Sequence, residues 1–255
     1  MIILKSNREL DIMRQANRII AIILSEIGDR IRPGVSTYEL DRWAEDRILD
    51  LKARPAFKGY GGRSRLYPYP ATLCTSINHE VVHGIPSRDK ILAEGNIVSI
   101  DVGSLYQGYY GDGAYTYAVG RVSDRALELM QTCQQALDLG IQAARSGKRL
   151  SDISQAIDRC VRDRGFEIVR DLSGHGIGKN LHEEPQVLNF FEGPSKETLK
   201  VGMTLAIEPM ITAGTYRVRT LADNWTVVTA DGSLAAHFEH TVAITDNGPE
   251  ILTRL

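Results

Sequence analysis

No two cysteines in this chain stand close enough to form a CxxC pair, and Cys74, Cys133 and Cys160 are the whole complement. An odd number of widely spaced thiols argues against a disulfide frame or a thiolate zinc site, and for a reducing compartment. A dominant charge is missing too: the formal net charge is -2, and no long basic run marks a generic phosphate-backbone binder. No hydrophobic run approaches the roughly 18 residues of a membrane span. The most apolar stretch, 19–24, lies within a helical stripe of Ile12, Ala16, Ile19, Ile23 and Ile27. No small-residue cleavage site follows it, so it reads as a core-facing helix rather than a leader. The expected location is cytoplasmic. No Pro-, Ser- or Gly-rich linker divides the chain.

What is present is a 255-residue chain, 43% hydrophobic and 24% charged, with ample material for a core. Hydrophobic period and capping signals predict helices near 7–27 and 37–52, opened by Ser6 with Glu9 and by Ser36 with Glu39. Strands follow near 72–77, 97–103 and 109–119. The order then repeats: helices near 124–145 and 151–164, strands near 204–212, 225–229 and 237–245. A period near 110 is too long for a solenoid. It fits one domain over 1–255, built of pseudo-repeats about 1–120 and 121–255. The expected fold is α+β and duplicated about a pseudo-two-fold axis, with a curved, mostly antiparallel sheet covered by two helix pairs.

The repeats share a phrase. Gly95-Asn-Ile-Val-Ser-Ile-Asp101 and Gly202-Met-Thr-Leu-Ala-Ile-Glu208 each lead from glycine through an apolar strand to a carboxylate. Strands disfavour acids, and a buried carboxylate is costly unless a positive charge compensates it. Asp112 lies on the return strand of a hairpin turning near Gln107-Gly108, which brings it beside Asp101. Glu239 lies in the last strand, giving two acids per half. Any one of them alone is an ordinary turn or surface residue. Together they cannot all ionise without cations, and two divalent ions would nearly balance them.

One nitrogen donor fits beside them. His175 stands in Gly174-His-Gly-Ile-Gly178, where the flanking glycines would let the backbone turn tightly. This oxygen-rich set suits Mn, Fe, Co or Zn ions. Such ions can lower the pKa of bound water to about 7 and polarise a carbonyl, which points to hydrolysis. His83 and His182 lack ligand spacing. They could bond a substrate carbonyl, an oxyanion or a leaving group. His79, His237 and His240 read as structural or exposed, His240 lying on the opposite strand face from Glu239. Cys133 and Cys160 sit on helix stripes as core.

The phrases Asn78-His-Glu-Val-Val-His83-Gly-Ile-Pro86, Ile100-Asp-Val-Gly103, Gly111-Asp112, Gly174-His-Gly-Ile-Gly178, Leu181-His-Glu-Glu-Pro185, Ile207-Glu-Pro-Met210 and Phe238-Glu-His240 resemble those of type I methionine aminopeptidases. They span nearly the whole chain in the family's order. The resemblance implies the pita-bread fold and removal of the initiator methionine, with a small second residue preferred. It implies Asp101, Asp112, His175, Glu208 and Glu239 as ligands of two divalent ions, with Glu208 also moving a proton. His83 would contact the scissile region, and His182 the substrate carbonyl. Tyr69, Cys74 and Trp225 would help line the methionine pocket.

The implied partner is a peptide or nascent-chain N-terminus. No membrane or specific nucleic acid is expected, a transient ribosome contact is left open, and the expected state is a monomer. The spacing from His175 to Glu208 leaves no room for the insert of type II enzymes. The start of the chain suggests no zinc-binding extension. Two departures stand out: Gly103 replaces a common threonine, and the loop 59–70, within a stretch 58–71 read as a surface or pocket-edge loop, is several residues longer than in compact relatives. A proline-directed peptidase of the same fold is the runner-up enzyme. A non-catalytic binding relative is disfavoured, because all five ligand positions are filled.

Overall fold

In this computed structural model the described residues are 1–61 and 67–255. The part of the long loop at 62–66, Gly62 included, lies outside them. The first half runs α1 (Asn7–Gly28), α2 (Thr37–Asp50), β1 (Arg54–Pro55), β2 (Leu73–Ile77), β3 (Glu80–Val82), β4 (Ile97–Tyr106) and β5 (Tyr109–Ala118). The second half begins with α3 (Asp124–Ala143), α4 (Leu150–Arg162), β6 (Glu167–Ile168), β7 (Gly174–Gly176) and β8 (Glu183–Val187). It continues through β9 (Thr204–Ile207), β10 (Met210–Thr212), β11 (Val218–Thr220), β12 (Val227–Thr229), β13 (Ala235–His237), β14 (Glu239–Thr245) and β15 (Gly248–Ile251).

Local chemistry explains the helix starts. The hydroxyls of Ser6 and Ser36 accept the backbone N–H of Glu9 and Glu39, whose carboxylates bond back to the cap residues. Ser123 caps α3 in the simpler way. The fourth helix starts one residue before the expected 151. Ser151 is not its cap, because its hydroxyl accepts the backbone N–H of Ser195 instead.

The main sheet is nine-stranded, and its central order β4-β5-β14-β9 sets the two halves face to face across the β5–β14 pair. Two small sheets, β13-β10-β6 and β11-β12-β3, continue it. The strands expected at 204–212 and 237–245 are therefore each broken. One break falls at Glu208-Pro209, where proline brings no N–H to a ladder, and the other at Phe238. One face of β4 packs Ile100 and Val102 into a core with Ile20, Ile23 and Ile27 of α1 and Leu40 and Ala44 of α2. In the second half Leu205, Ile207, Val242 and Ile244 meet Leu129, Cys133, Ile153 and Ile157 of α3 and α4. The opposite face is left to the acids.

The β4–β5 hairpin turns through Gln107 and Gly108, both at positive φ, the backbone that suits the strands' twist. Its register sets Asp112 opposite Gly103 and Asp101 opposite Ala114. The two aspartates are thus diagonal neighbours on one face rather than a direct pair. Gly111, on the other face, lets α1 approach: a Cβ there would lie 2.9 Å from the carbonyl of Ala16. That approach brings the Asn17 amide oxygen to the backbone N–H of Asp112 at 3.2 Å. Replacing Gly111 by alanine should push α1 off the hairpin and cost about 1–3 kcal/mol. Chemical denaturation of the two proteins measures it, and equal midpoints would contradict this account of the contact.

Candidate metal centre

Asp101 and Asp112 stand on β4 and β5, His175 on β7, Glu208 just past β9, and Glu239 at the start of β14. The register joins them, since Glu239 pairs with Ala114, itself opposite Asp101, and His175 pairs with Ala206. The imidazole Nε2 of His175 lies 3.5 Å from Oε1 of Glu208 and 3.9 Å from Oδ2 of Asp112. Donor atoms of Asp112, His175 and Glu239 all fall within 4.8 Å of one another. The glycines flanking His175 do not serve a tight turn, as expected from sequence. They sit in a strand squeezed between neighbours, where a Cβ at Gly174 or Gly176 would overlap the carbonyls of Ala206 or Glu184.

Gly103 also has a physical reason. A Cβ there would lie 2.6 Å from the Phe57 ring and 2.8 Å from Ala56, so the space a threonine would need is filled. Cys74 is the register partner of Asp101 across β2 and β4, and its buried thiol is a neighbour that offsets part of the upward push of burial on that aspartate. Tyr69 is buried, donates its hydroxyl to the carbonyls of Leu73 and Gly84, and meets Trp225 edge-on at 5.1 Å. His83, held at a positive φ, stands edge-on to Trp225 at 6.0 Å. His182 opens to solvent on one side, and its ring centroid lies 4.2 Å from that of His175.

Two residues that sequence reasoning did not select also face this hollow. Tyr60, in the long loop, brings its hydroxyl 2.7 Å from Nδ1 of His182. The phenol is the natural donor there, which assigns the remaining ring proton to Nε2. His237, set aside as structural or exposed, is buried with its Nε2 3.7 Å from Oε2 of Glu208. Nothing local in the sequence marks either contact; both join distant segments. His240 turns away to bond Thr253, and His79 is exposed. The loop carrying His182 is anchored by a buried ion pair next door, Lys5 to Glu183 at 2.6 Å. Removing one partner of such a pair costs about 3–5 kcal/mol.

No lysine or arginine among the described residues pairs with any of the four acids. Oxygens of Asp101, Asp112 and Glu239 are buried without a hydrogen-bond partner. Burial raises Asp101 to about 7. Burial first, and neighbouring carboxylates second, hold Asp112, Glu208 and Glu239 well above the usual range. Burial also lowers His175 to about 3 and His83 to about 4, so both are neutral at pH 7. Neutral imidazole and orphaned carboxylate oxygens are what a divalent cation binds. The residues present fit a metal centre.

The profile of the metallopeptidase family M24 matches residues 11–246, and the chain belongs to that family. Its relatives are more particular. A methionine aminopeptidase of Clostridium acetobutylicum is 50% identical, with 99% of each chain covered. Methionine aminopeptidase 1 of Bacillus subtilis is 49% identical with 100% of each covered. The crystal structure of a methionine aminopeptidase from Thermotoga maritima matches with a TM-score of 0.96 at 44% identity, covering 100% of both chains. A prolidase from Pyrococcus furiosus, with a TM-score of 0.78 at 24% identity, is covered over 66% of its own length and shares the fold alone. The fold is the pita-bread fold: four helices and a curved antiparallel half-barrel sheet.

The acids set a pH dependence for the metal-free protein. A carboxyl whose folded pKa is raised favours folding at low pH and loses that contribution as pH rises through the folded value. The buried histidines act oppositely, but only below about 6.5, where the unfolded chain takes up protons that they refuse. Above about pH 6.5 the carboxylates act alone. The melting temperature of metal-free protein should therefore fall between about pH 6.5 and 8, and saturation with divalent metal should flatten that slope. Calorimetry at several pH values checks this; a melting temperature that climbs over the window without metal refutes it.

Proposed function

We infer that the chain is a metal-dependent aminopeptidase that removes the N-terminal methionine from nascent proteins, with a small second residue preferred. The observation that carries the reading is the end-to-end likeness to methionine aminopeptidases. The uncompensated acid cluster supports it from within the chain. Asp101, Asp112, His175, Glu208 and Glu239 would hold two divalent ions, of cobalt, manganese, iron or zinc. Bound there, the ions supply Lewis acidity toward the scissile carbonyl and bring the pKa of water toward about 7.

The protein's own groups do the rest. Glu208 takes the proton of the attacking water and returns it to the leaving amine. Its place just beyond β9 gives its carboxylate His175 on one side. His182 donates Nε2–H to the carbonyl oxygen as negative charge develops on it, and Tyr60 holds it in that tautomer. Asp101 receives the free α-amine, which limits action to chain ends. Tyr69, Cys74 and Trp225 line the methionine side-chain pocket, and His83, beside Trp225, contacts the scissile region. The reading places the protein in the cytoplasm as a monomer meeting nascent chains. No helix among the described residues is long and apolar enough to cross a membrane.

Purified protein loaded with each metal in turn should release methionine from Met-Ala-Ser but not from Met-Phe-Ser, and should leave an X-Pro dipeptide intact. Asp112→Asn should reduce turnover by more than about 100-fold and weaken metal binding, a larger loss than removal of an outer partner gives. Cleavage of the X-Pro dipeptide alone would move the protein to the proline-directed class. Tyr60→Phe removes one hydrogen bond, about 0.5–1.5 kcal/mol. It should lower kcat about two- to tenfold with little change in metal affinity. Unchanged kcat in that variant would show that the phenol does not position His182.

A further inference from the structure

His237 is the buried imidazole that the reaction above leaves unused. It is 1% exposed, and neither ring nitrogen has a hydrogen-bond partner. An imidazole buried without partners is costly, so its retention calls for a reason. The backbone is what fixes it. Its N–H donates to Oγ1 of Thr116 at 3.0 Å, and its carbonyl accepts from the same hydroxyl at 2.7 Å. Its strand, β13, is also paired at this position with Met210 of β10. The residue is clamped at the main chain and open at the ring.

The ring points at Glu208. Nε2 of His237 lies 3.7 Å from Oε2, while Nε2 of His175 lies 3.5 Å from Oε1. The new distance falls between the two that His175 makes within the expected ligand set, 3.5 Å to Glu208 and 3.9 Å to Asp112. All three are too long for hydrogen bonds. They are close to the separation of neighbouring donors on one ion, about 3.0–3.4 Å when each bond is about 2.1 Å. Donor atoms of Glu208, His237 and Glu239 fall within 4.8 Å of one another, the same standard met by Asp112, His175 and Glu239. Glu239 belongs to both groups.

We propose that His237 is an additional imidazole donor of the metal centre, binding an ion through Nε2 beside Glu208 and Glu239. The centre then carries an imidazole on each side of Glu208. This rests on the reading that the acids hold metal ions, and the two fail differently. Protein loaded with two equivalents of cobalt(II) is studied by X-ray absorption, where outer-shell scattering counts imidazoles. The expected result is one imidazole per cobalt in the wild type and one per two cobalt ions in His237→Gln. Calorimetry should show at least one of the two cobalt affinities lowered about tenfold or more in that variant.

Two bound cobalt ions with one imidazole between them in the wild type would overturn the proposal and leave the metal reading standing. Failure to bind cobalt at all would overturn both. Because the ring makes no hydrogen bond, metal-free His237→Gln should melt close to the wild type. Should it fold poorly, the imidazole count in the wild type decides alone.

Discussion

The molecule is organised around a cost: four carboxylates are gathered about one hollow, and among the described residues no lysine or arginine pairs with them. Burying a charge unpaired costs several kcal/mol per ion even after relaxation, and acids packed together raise one another further. The metal-free chain limits that cost by keeping protons on them. On the proposed reading a divalent cation would offer a larger compensation, replacing those protons and satisfying the orphaned oxygens of Asp101, Asp112 and Glu239 together. Stability and chemistry thus draw on the same groups. The burial that makes unpaired carboxylates unfavourable is what would favour a bound cation.

Holding such a cluster requires backbones brought closer than ordinary side chains allow. Gly111 admits α1 to the hairpin, and with it the Asn17 amide that fixes the backbone of Asp112. Gly174 and Gly176 do the same for the strand that presents His175 between β8 and β9. The apolar faces of the sheet meet the two helix pairs, and this burial must outweigh the polar face. The breaks at Glu208-Pro209 and Phe238 leave two of the acids at strand ends.

Much of this was legible because it is local. Helix starts were written in Ser-x-x-Glu boxes, and the hairpin in Gln107-Gly108. The repeated strand phrase marked Asp101 and Glu208 because it departs from strand propensity in both halves. The breaks in the strands near 204–212 and 237–245 were not legible, since apolar alternation runs through them and only the sheet shows where pairing changes partner. The reason for the glycines around His175 was also hidden. A sequence shows that a side chain is missing, not which carbonyl stands in its place. Tyr60 and His237 went unselected for the same cause: their significance lies in His182 and Glu208, which are remote in the chain.

The pseudo-symmetry of the two halves bears on the unlike roles proposed for Asp101 and Glu208. Asp101 lies within a continuous strand, fixed between Cys74 on β2 and Ala114 on β5. Its neighbours offer a thiol and a methyl group, so its carboxylate has little to exchange protons with and is suited to receive a cation such as a substrate amine. Glu208 ends its strand before Pro209, its carbonyl is held by Asn189, and both its carboxylate oxygens face imidazoles. A carboxylate at a strand end, flanked by neutral nitrogen donors, can shift and exchange protons where one inside a ladder cannot. The duplicated scaffold supplies two equivalent acids; the point at which each strand stops, and what lies across from it, suits one to the proposed role of holding charge and the other to that of carrying protons.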